Sequence, residues 1–120
     1  MTRGKGYISI EGLKIFARHG VAPQETTVGN TFEVTVQLEF ACEQAMRTDN
    51  LDQTINYAAV VELIKQEMAQ PSKLLENVAL RIYENITNHY PLVSGGSIAI
   101  YKLQPPIDAE LDRVGFCYNW

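Results

Sequence analysis

The sequence is poor in the residues that hold metals, disulfides or nucleic acids. Its 120 residues include two cysteines and two histidines, and ten basic residues face fourteen acidic ones, for a formal net charge of -4. The basic residues are scattered, so the electrostatic footprint of a nucleic-acid binder is missing and we predict no such partner. Cys42 and Cys117 lie far apart with no thiol or histidine at ligand spacing, which indicates reduced strand residues in a cytoplasmic protein.

Long apolar runs are also missing. The first residues, "MTRGKGYISIEG", carry charges but no apolar stretch of signal-peptide length. The longest apolar run, "YAAVV", is far below the ~20 residues of a membrane-spanning helix. We therefore predict no membrane partner and a cytoplasmic location.

The motifs of several enzyme classes are absent as well. A catalytic zinc needs several protein ligands, yet His19 and His89 lie on different predicted elements with no ligand nearby, so we predict no metal and a packing role for His19 in its loop. No Gly-x-Ser-x-Gly elbow, phosphate-cradling loop or dinucleotide fingerprint occurs. These absences exclude hydrolysis by a serine triad and nucleotide-driven chemistry.

What the sequence does contain is a clear alternation of apolar and polar residues in its first third. The alternation is strict over residues 31–42, which predicts a half-buried strand. A looser alternation over residues 7–17 predicts an earlier strand. The segment "RHGVAPQETTVGN" between them is rich in turn residues, so the two strands are predicted to form an antiparallel hairpin with a long loop.

The period then changes to that of a helix. "NYAAVVELIKQEMAQ" puts Val60, Val61, Ile64 and Met68 on one face, with Asn56 as its N-cap. Ser72 is the candidate N-cap of a second helix through "KLLENVALRIYENITNHY". After Gly95-Gly96, "SIAIYKL" and "RVGFCYNW" predict two strands around a proline-rich loop.

The predicted order is β-β-α-α-β-β over a single domain, residues 1–120. This order predicts an α+β fold in which two helices lie on one face of a four-stranded antiparallel sheet. A short sheet leaves its edges exposed, and Tyr7, Tyr101, Tyr118 and Trp120 suggest apolar area that the helices do not cover. We therefore predict self-association through the sheet edges.

Four polar residues lie at the boundaries of predicted elements, where functional sites tend to lie. Glu76, in "LLENVALRI", flanks an apolar helical stripe; it is either an acid favoured by the helix macrodipole or a carboxylate held for a ligand. Tyr57 either packs its ring at a helix end or serves a site. Glu25 is either a solvated loop acid or a residue of a site. Lys102 is either an edge-strand charge or a residue of a site.

The segments "HGVAPQETTVGNTFEV", "RTDNLDQTINY", "LLENVALRI" and "IYKLQPPI" together resemble the bacterial dihydroneopterin aldolases of folate biosynthesis, in order and approximate spacing. The resemblance runs over residues 8–114. It implies the T-fold, with the same β-β-α-α-β-β order. It also implies a homo-oligomeric barrel, a tetramer that commonly pairs as an octamer, with active sites at subunit interfaces.

The same resemblance implies roles for the boundary residues. Glu76, with the backbone of Leu75, would anchor the pterin, and Glu25 would be the loop glutamate at the substrate. Lys102 would be the proton donor and acceptor, a role expected to need burial or a neighbouring cation. Tyr57 would come from the adjoining subunit. The implied reaction is retro-aldol cleavage of 7,8-dihydroneopterin without metal or other cofactor, because the conjugated imine of the substrate is its own electron sink.

The sequence departs from the family pattern at two places near the expected site. Arg18 stands where members often have an aromatic residue, and "IDAELD" is acidic where a glycine is usual. Both changes concern the substrate tail more than the fold. Two alternatives stay open: an epimerase acting on dihydroneopterin or its triphosphate, and a non-catalytic pterin-binding protein on the same fold.

Overall fold

A four-stranded antiparallel sheet forms the base of the molecule in the computed structural model, which describes residues 4–120. The strands, which lie side by side in chain order, are β1 (Gly6–Ala17), β2 (Asn30–Phe40), β3 (Val93–Lys102) and β4 (Val114–Asn119). β1 and β4 are the two edges of the sheet. The sheet predicted from the alternating segments is confirmed.

Strand β2 lies in the interior of the sheet and follows the predicted alternation. Its apolar residues are buried beneath the helices: Phe32, Val34, Val36, Leu38 and Phe40. The strand ends at Phe40, two residues earlier than the sequence predicted, and Cys42 therefore does not lie in a strand. Cys42 instead precedes a short helix, α2 (Glu43–Thr48).

Two long helices, α3 (Tyr57–Met68) and α4 (Leu75–His89), cover one face of the sheet as predicted. Asn56 is the N-cap of α3, since its Oδ1 accepts hydrogen bonds from the backbone N–H groups of Ala58 and Ala59. Helix α3 packs beside α4 and β1, whereas α4 packs over β3 and β4. The two helices therefore cover opposite halves of this face, α3 near β1 and α4 near β4.

The predicted N-cap of α4 is wrong. The helix begins at Leu75 after Leu74, which makes no side-chain cap. Ser72 is not the N-cap residue, and its hydroxyl bonds the side chains of Asn77 and Arg81. On α3, Val61 is only half-buried, and Leu63 takes its expected place in the core.

Aromatic residues fasten α4 to the edge strand β4. The ring of Tyr83 on α4 meets Trp120 edge-on at 4.8 Å between centroids and Tyr118 at 5.4 Å. Tyr118 and Trp120 thus face the helices, contrary to the expectation that they add to the uncovered face. Tyr7 stays 63% exposed, and Tyr101 lies under the guanidinium of Arg113.

Three short elements were not predicted. They are α1 (Pro23–Thr27) within the β1–β2 loop, α2 after β2, and a 3-10 turn (Leu51–Gln53) before α3. Helices of this length show no full hydrophobic period and are marginal alone, so tertiary contacts decide them. Helix α1 matters most, because it carries Glu25.

Candidate active site

Lys102 and Glu25 form an ion pair that is largely shielded from solvent. Lys102 is the last residue of β3 and Glu25 lies in α1, and the Nζ to Oε1 distance is 2.5 Å. The side chains are only 14% and 10% exposed. The other oxygen of Glu25, Oε2, accepts the backbone N–H of Ala22 at 3.0 Å. The carboxylate is therefore fixed at both oxygens.

Glu25 is ionised at neutral pH. Burial raises the pKa of its carboxyl group, but the hydrogen bond and charge of Lys102 and the backbone N–H groups of Ala22 and Val21 outweigh that effect, so the net pKa lies below the ordinary value. The base role of Lys102 was expected to need burial or a neighbouring cation. The structure shows that Lys102 is largely buried, but its neighbour is the anion Glu25 and not the expected cation.

Gly20 makes room for this carboxylate. Its φ is +156°, and a Cβ built there would lie 2.3 Å from the Glu25 carboxyl carbon. Any side chain at position 20 would displace Glu25 from Lys102. The structure thus explains why position 20 is a glycine, which the sequence alone did not.

Glu76 lies on the rim of a small, mostly apolar cavity of about 170 Å³. Ala79 and Leu80 of α4 form one side, and Phe116 and Tyr118 of β4 form the other. The exposed carboxylate thus borders an apolar wall, as the helical period predicted for Glu76. The lining residues from β4 were not predicted, because a strand six residues long carries little signal about what packs over it.

Leu75 is half-buried and packs against the core, which orients the first turn of α4. Its backbone N–H belongs to the first-turn groups that have no acceptor within a helix. Leu75 precedes Glu76 but does not itself line the cavity. That its backbone acts together with the Glu76 side chain stays a prediction.

The ion pair lies close to this cavity along the sheet. Phe116, which lines the cavity, pairs with Ile100, and Lys102 is two residues further along β3. Two residues of a strand span about 7 Å, which is within the length of a bicyclic ring with a short tail. The strand register therefore puts the Glu25–Lys102 pair about two residues along β3 from the level of the Glu76 cavity.

Tyr57 is not brought there within the chain. It is the first residue of α3, is 65% exposed, and belongs to the helix that packs beside β1. The Glu76 cavity lies at β4, the opposite edge of the sheet. That Tyr57 comes to the cavity from an adjoining subunit stays a prediction.

The segment that follows Lys102 is pinned before it enters the proline-rich loop. Leu103 donates its backbone N–H to the Thr31 carbonyl at 3.1 Å. One residue further, the Gln104 carbonyl accepts the side-chain amide of Asn30 at 2.6 Å. The acidic stretch 107–112 begins only after these two contacts.

Three further features of residues 4–120 bear on the type of site. Within residues 4–120, no three His, Cys, Asp or Glu side chains group together as a metal ion would require. Cys42 and Cys117 are free thiols. No helix in that stretch has the length and apolar character needed to cross a membrane.

Comparison with known proteins identifies the family. The family model described as FolB: Dihydroneopterin aldolase matches residues 8–119. The chain belongs to the dihydroneopterin aldolase family. The resemblance inferred from its four sequence segments is thereby confirmed.

Curated relatives carry the same family name. A dihydroneopterin aldolase of Staphylococcus epidermidis (strain RP62A) is 33% identical over 109 residues, 90% of each chain. One of Bacillus subtilis (strain 168) is 33% identical over 108 residues, 89% of this chain and 90% of that one. The alignments span nearly the whole length on both sides, so the family assignment is not confined to a fragment.

Solved structures share the fold. The chain superposes on Escherichia coli dihydroneopterin aldolase in complex with neopterin with a TM-score of 0.86, covering 96% of this chain and 98% of that one. The two sequences are 20% identical, so this likeness concerns the fold. It agrees with the four-stranded sheet and the helices described above.

Proposed function

We propose that this chain catalyses the retro-aldol cleavage of 7,8-dihydroneopterin in folate biosynthesis. The products are 6-hydroxymethyl-7,8-dihydropterin and glycolaldehyde. Membership of the family supports the reaction. The geometric observation that carries it is the buried Lys102–Glu25 pair a short step along β3 from the Glu76 cavity. A protein that only binds pterins needs the carboxylate on the cavity rim but has no need for a shielded proton-carrying pair beside it.

Glu76 and Leu75 are proposed to anchor the pterin. The ring presents an N3–H and a 2-amino group side by side, two donors that one ionised carboxylate accepts together. The apolar wall formed by Leu80, Phe116 and Tyr118 supports a flat ring. The backbone N–H of Leu75 offers one further polar contact at the same helix end.

Lys102 is proposed to exchange the protons of the reaction. A base removes the proton of the 2'-hydroxyl, the bond between C1' and C2' breaks, and the bonding electrons move into the conjugated imine of the dihydropterin. Glycolaldehyde leaves, and an acid returns a proton to C1' of the resulting enamine. Lys102 acts at the tail end of the ring through a bound water, and Glu25 holds its Nζ in position and accepts a substrate hydroxyl.

Tyr57 is proposed to act from a neighbouring subunit in reprotonation. Helix α3 lies beside β1, so a second copy that adds its β1 to the β4 edge of the first brings its Tyr57 toward the Glu76 cavity. Exposed apolar side chains on these edges, Phe16 on β1 and Val114 and Tyr118 on β4, support such an interface. Repeating the contact would close a barrel, a tetramer able to pair as an octamer, of single-domain subunits in the cytoplasm.

The test is turnover of 7,8-dihydroneopterin by the purified protein with EDTA present. Both 6-hydroxymethyl-7,8-dihydropterin and glycolaldehyde are measured, and the configuration of the remaining substrate at C2' is followed. Lys102→Ala is compared with Lys65→Ala, which removes an exposed lysine of α3. Cleavage that survives the chelator and is lost only in Lys102→Ala supports the proposal.

Other outcomes would replace the proposal. Inversion at C2' with little glycolaldehyde would assign an epimerase. Pterin binding abolished by Glu76→Ala, without turnover in the unaltered protein, would assign a binding protein.

A further inference from the structure

A buried histidine joins the two loops that lead to the site. His19 is 1% exposed, and its Nδ1 accepts the backbone N–H of Ser72 at 3.0 Å. The next residue, Gly20, donates its own N–H to the Ser72 carbonyl at 2.9 Å. Two adjacent residues of the β1–β2 loop therefore hold both backbone groups of one residue between α3 and α4.

Ser72 is in turn fixed to both helices. Its hydroxyl donates to Asn77 Oδ1 of α4 and accepts from Arg81, each at 2.7 Å. Arg81 also donates to the backbone carbonyls of Gln70 and Glu67 at the end of α3. Helix α4 has no side-chain N-cap, and these bonds tie the segment just before its first turn to the body of α4 and to the end of α3.

The hydrogen bonds from His19 and Gly20 to Ser72 link the two halves of the candidate site. On one side, Gly20 touches the Glu25 carboxylate that pairs with Lys102. On the other side, Ser72 precedes the turn that carries Leu75 and Glu76. We propose that His19 is a positioning residue that sets the distance between the Glu25–Lys102 pair and the Glu76 anchor through its hydrogen bond to Ser72.

The ring is suited to this role by its protonation state. Nδ1 is an acceptor, so the ring proton lies on Nε2 and the ring is neutral. Burial, followed by the charge of Arg81, lowers the pKa of His19 from 6.5 to about 4; the Met68 carbonyl opposes this shift, and the charge of Lys102 adds to it. The acceptor is therefore available throughout the neutral range.

A packing role alone makes a different prediction. The His19 ring also contacts Phe32 edge-on at 5.2 Å between centroids, so any substitution disturbs the core. A residue that only fills space tolerates a change in its acceptor position, whereas a positioning residue does not. Asn offers an acceptor near the position of Nδ1, and Gln carries its amide further out, so the two variants separate the roles.

This inference rests on the proposed function, and the experiment keeps the two apart. His19→Asn, His19→Gln and His19→Leu are compared with His89→Leu, which alters the exposed histidine at the end of α4. For 7,8-dihydroneopterin we expect kcat/KM to fall on the order of tenfold to a hundredfold in the Gln and Leu variants. We expect His19→Asn to recover most of the loss and His89→Leu to match the unaltered protein.

Amide hydrogen exchange supplies a reading that needs no substrate. The N–H groups of Ser72 and Gly20 should lose protection in His19→Gln and keep it in His19→Asn. Equal kinetic constants for the Asn and Gln variants, or unchanged exchange at both amides in His19→Gln, would overturn the inference. Absence of turnover in the unaltered protein would count against the proposed function, and exchange would still decide whether His19 holds the two loops together.

Discussion

The two halves of the candidate site differ in how complete they are within one chain. The Glu25–Lys102 pair is shielded, mutually neutralised and held by backbone groups. The Glu76 cavity is open, and its carboxylate is exposed at an edge of the sheet. The fold of one chain thus fixes the Glu25–Lys102 pair completely, whereas the Glu76 cavity stays open to solvent, as we expect if a ligand and a neighbouring subunit complete it.

The largest expected effect comes from the shielded half. Lys102→Ala should lower kcat by about 10²–10⁴-fold, as for loss of a general acid–base group. The dissociation constant for the pterin should change little, because the ring is anchored elsewhere. Single-turnover rates and equilibrium binding, with Lys65→Ala as control, check both. Loss of binding in Lys102→Ala would break the division of the site into two halves.

The open half should show the opposite pattern. Glu76→Gln keeps the size of the side chain but removes the charge, so one ring donor keeps only a neutral carbonyl acceptor and the other faces an NH2 group that cannot accept. We expect pterin binding to weaken by about 1.5–3 kcal/mol, or roughly 10- to 150-fold. Titration calorimetry with neopterin measures this effect, with Glu84→Gln on the exposed part of α4 as the matched control. A fall in kcat at unchanged affinity would contradict the anchoring role.

Mixed oligomers test whether Tyr57 and Glu76 of one site come from different chains. Tyr57→Phe and Glu76→Ala subunits, each impaired alone, should regain part of the activity when co-assembled, because some interfaces then carry both unaltered residues. Activity is measured after unfolding and refolding the mixture, beside each variant treated alone. No recovery in verified mixed oligomers would mean that Tyr57 serves the site of its own chain or none.

The last expected effect is on stability at acidic pH and does not involve substrate. His19 is neutral in the folded chain down to about pH 4, whereas the unfolded chain binds a proton near pH 6.5. Stability should therefore fall as pH drops below 6.5, with a loss of about 2 kcal/mol by about pH 5. Glu25, whose pKa is lowered in the folded chain, adds a further loss of stability only at lower pH, as the pH falls from the ordinary pKa of a glutamate through the lowered pKa of Glu25.

Urea unfolding at about pH 7 and pH 5, at one protein concentration, measures this difference. His19→Asn should remove the loss because it removes the titrating ring. A loss that persists in His19→Asn would have to come from other groups.

The parts of the fold that the sequence predicted are those with a full local period. The alternation over β2 and the Asn56 cap of α3 are local signals, and the structure agrees with both. Ser72 shows the limit, because its hydroxyl could cap a helix or bond other side chains, and in the structure it bonds Asn77 and Arg81 of α4. Its backbone N–H bonds His19, which lies 53 positions away in the β1–β2 loop. Local pattern carries no information about such partners.

In the candidate site as well, local features were predictable from the sequence and long-range contacts were not. Glu76 could be placed on the rim of an apolar face from helical spacing alone. The pairing of Glu25 with Lys102 spans 77 positions and depends on a five-residue helix and on the missing side chain of Gly20. No single-sequence pattern measures that distance, and only the resemblance to a family brought the two residues together beforehand.

The two contacts that pin Leu103 and Gln104 make the following loop a separable part. Strand β3 is fixed to β2 before the chain reaches the prolines, so we expect changes of length or charge in residues 105–112 to displace Lys102 Nζ little. The loop would then be a segment that can be replaced on its own. The acidic stretch of this chain would be one of several sequences that such a loop can carry beside an unchanged candidate site.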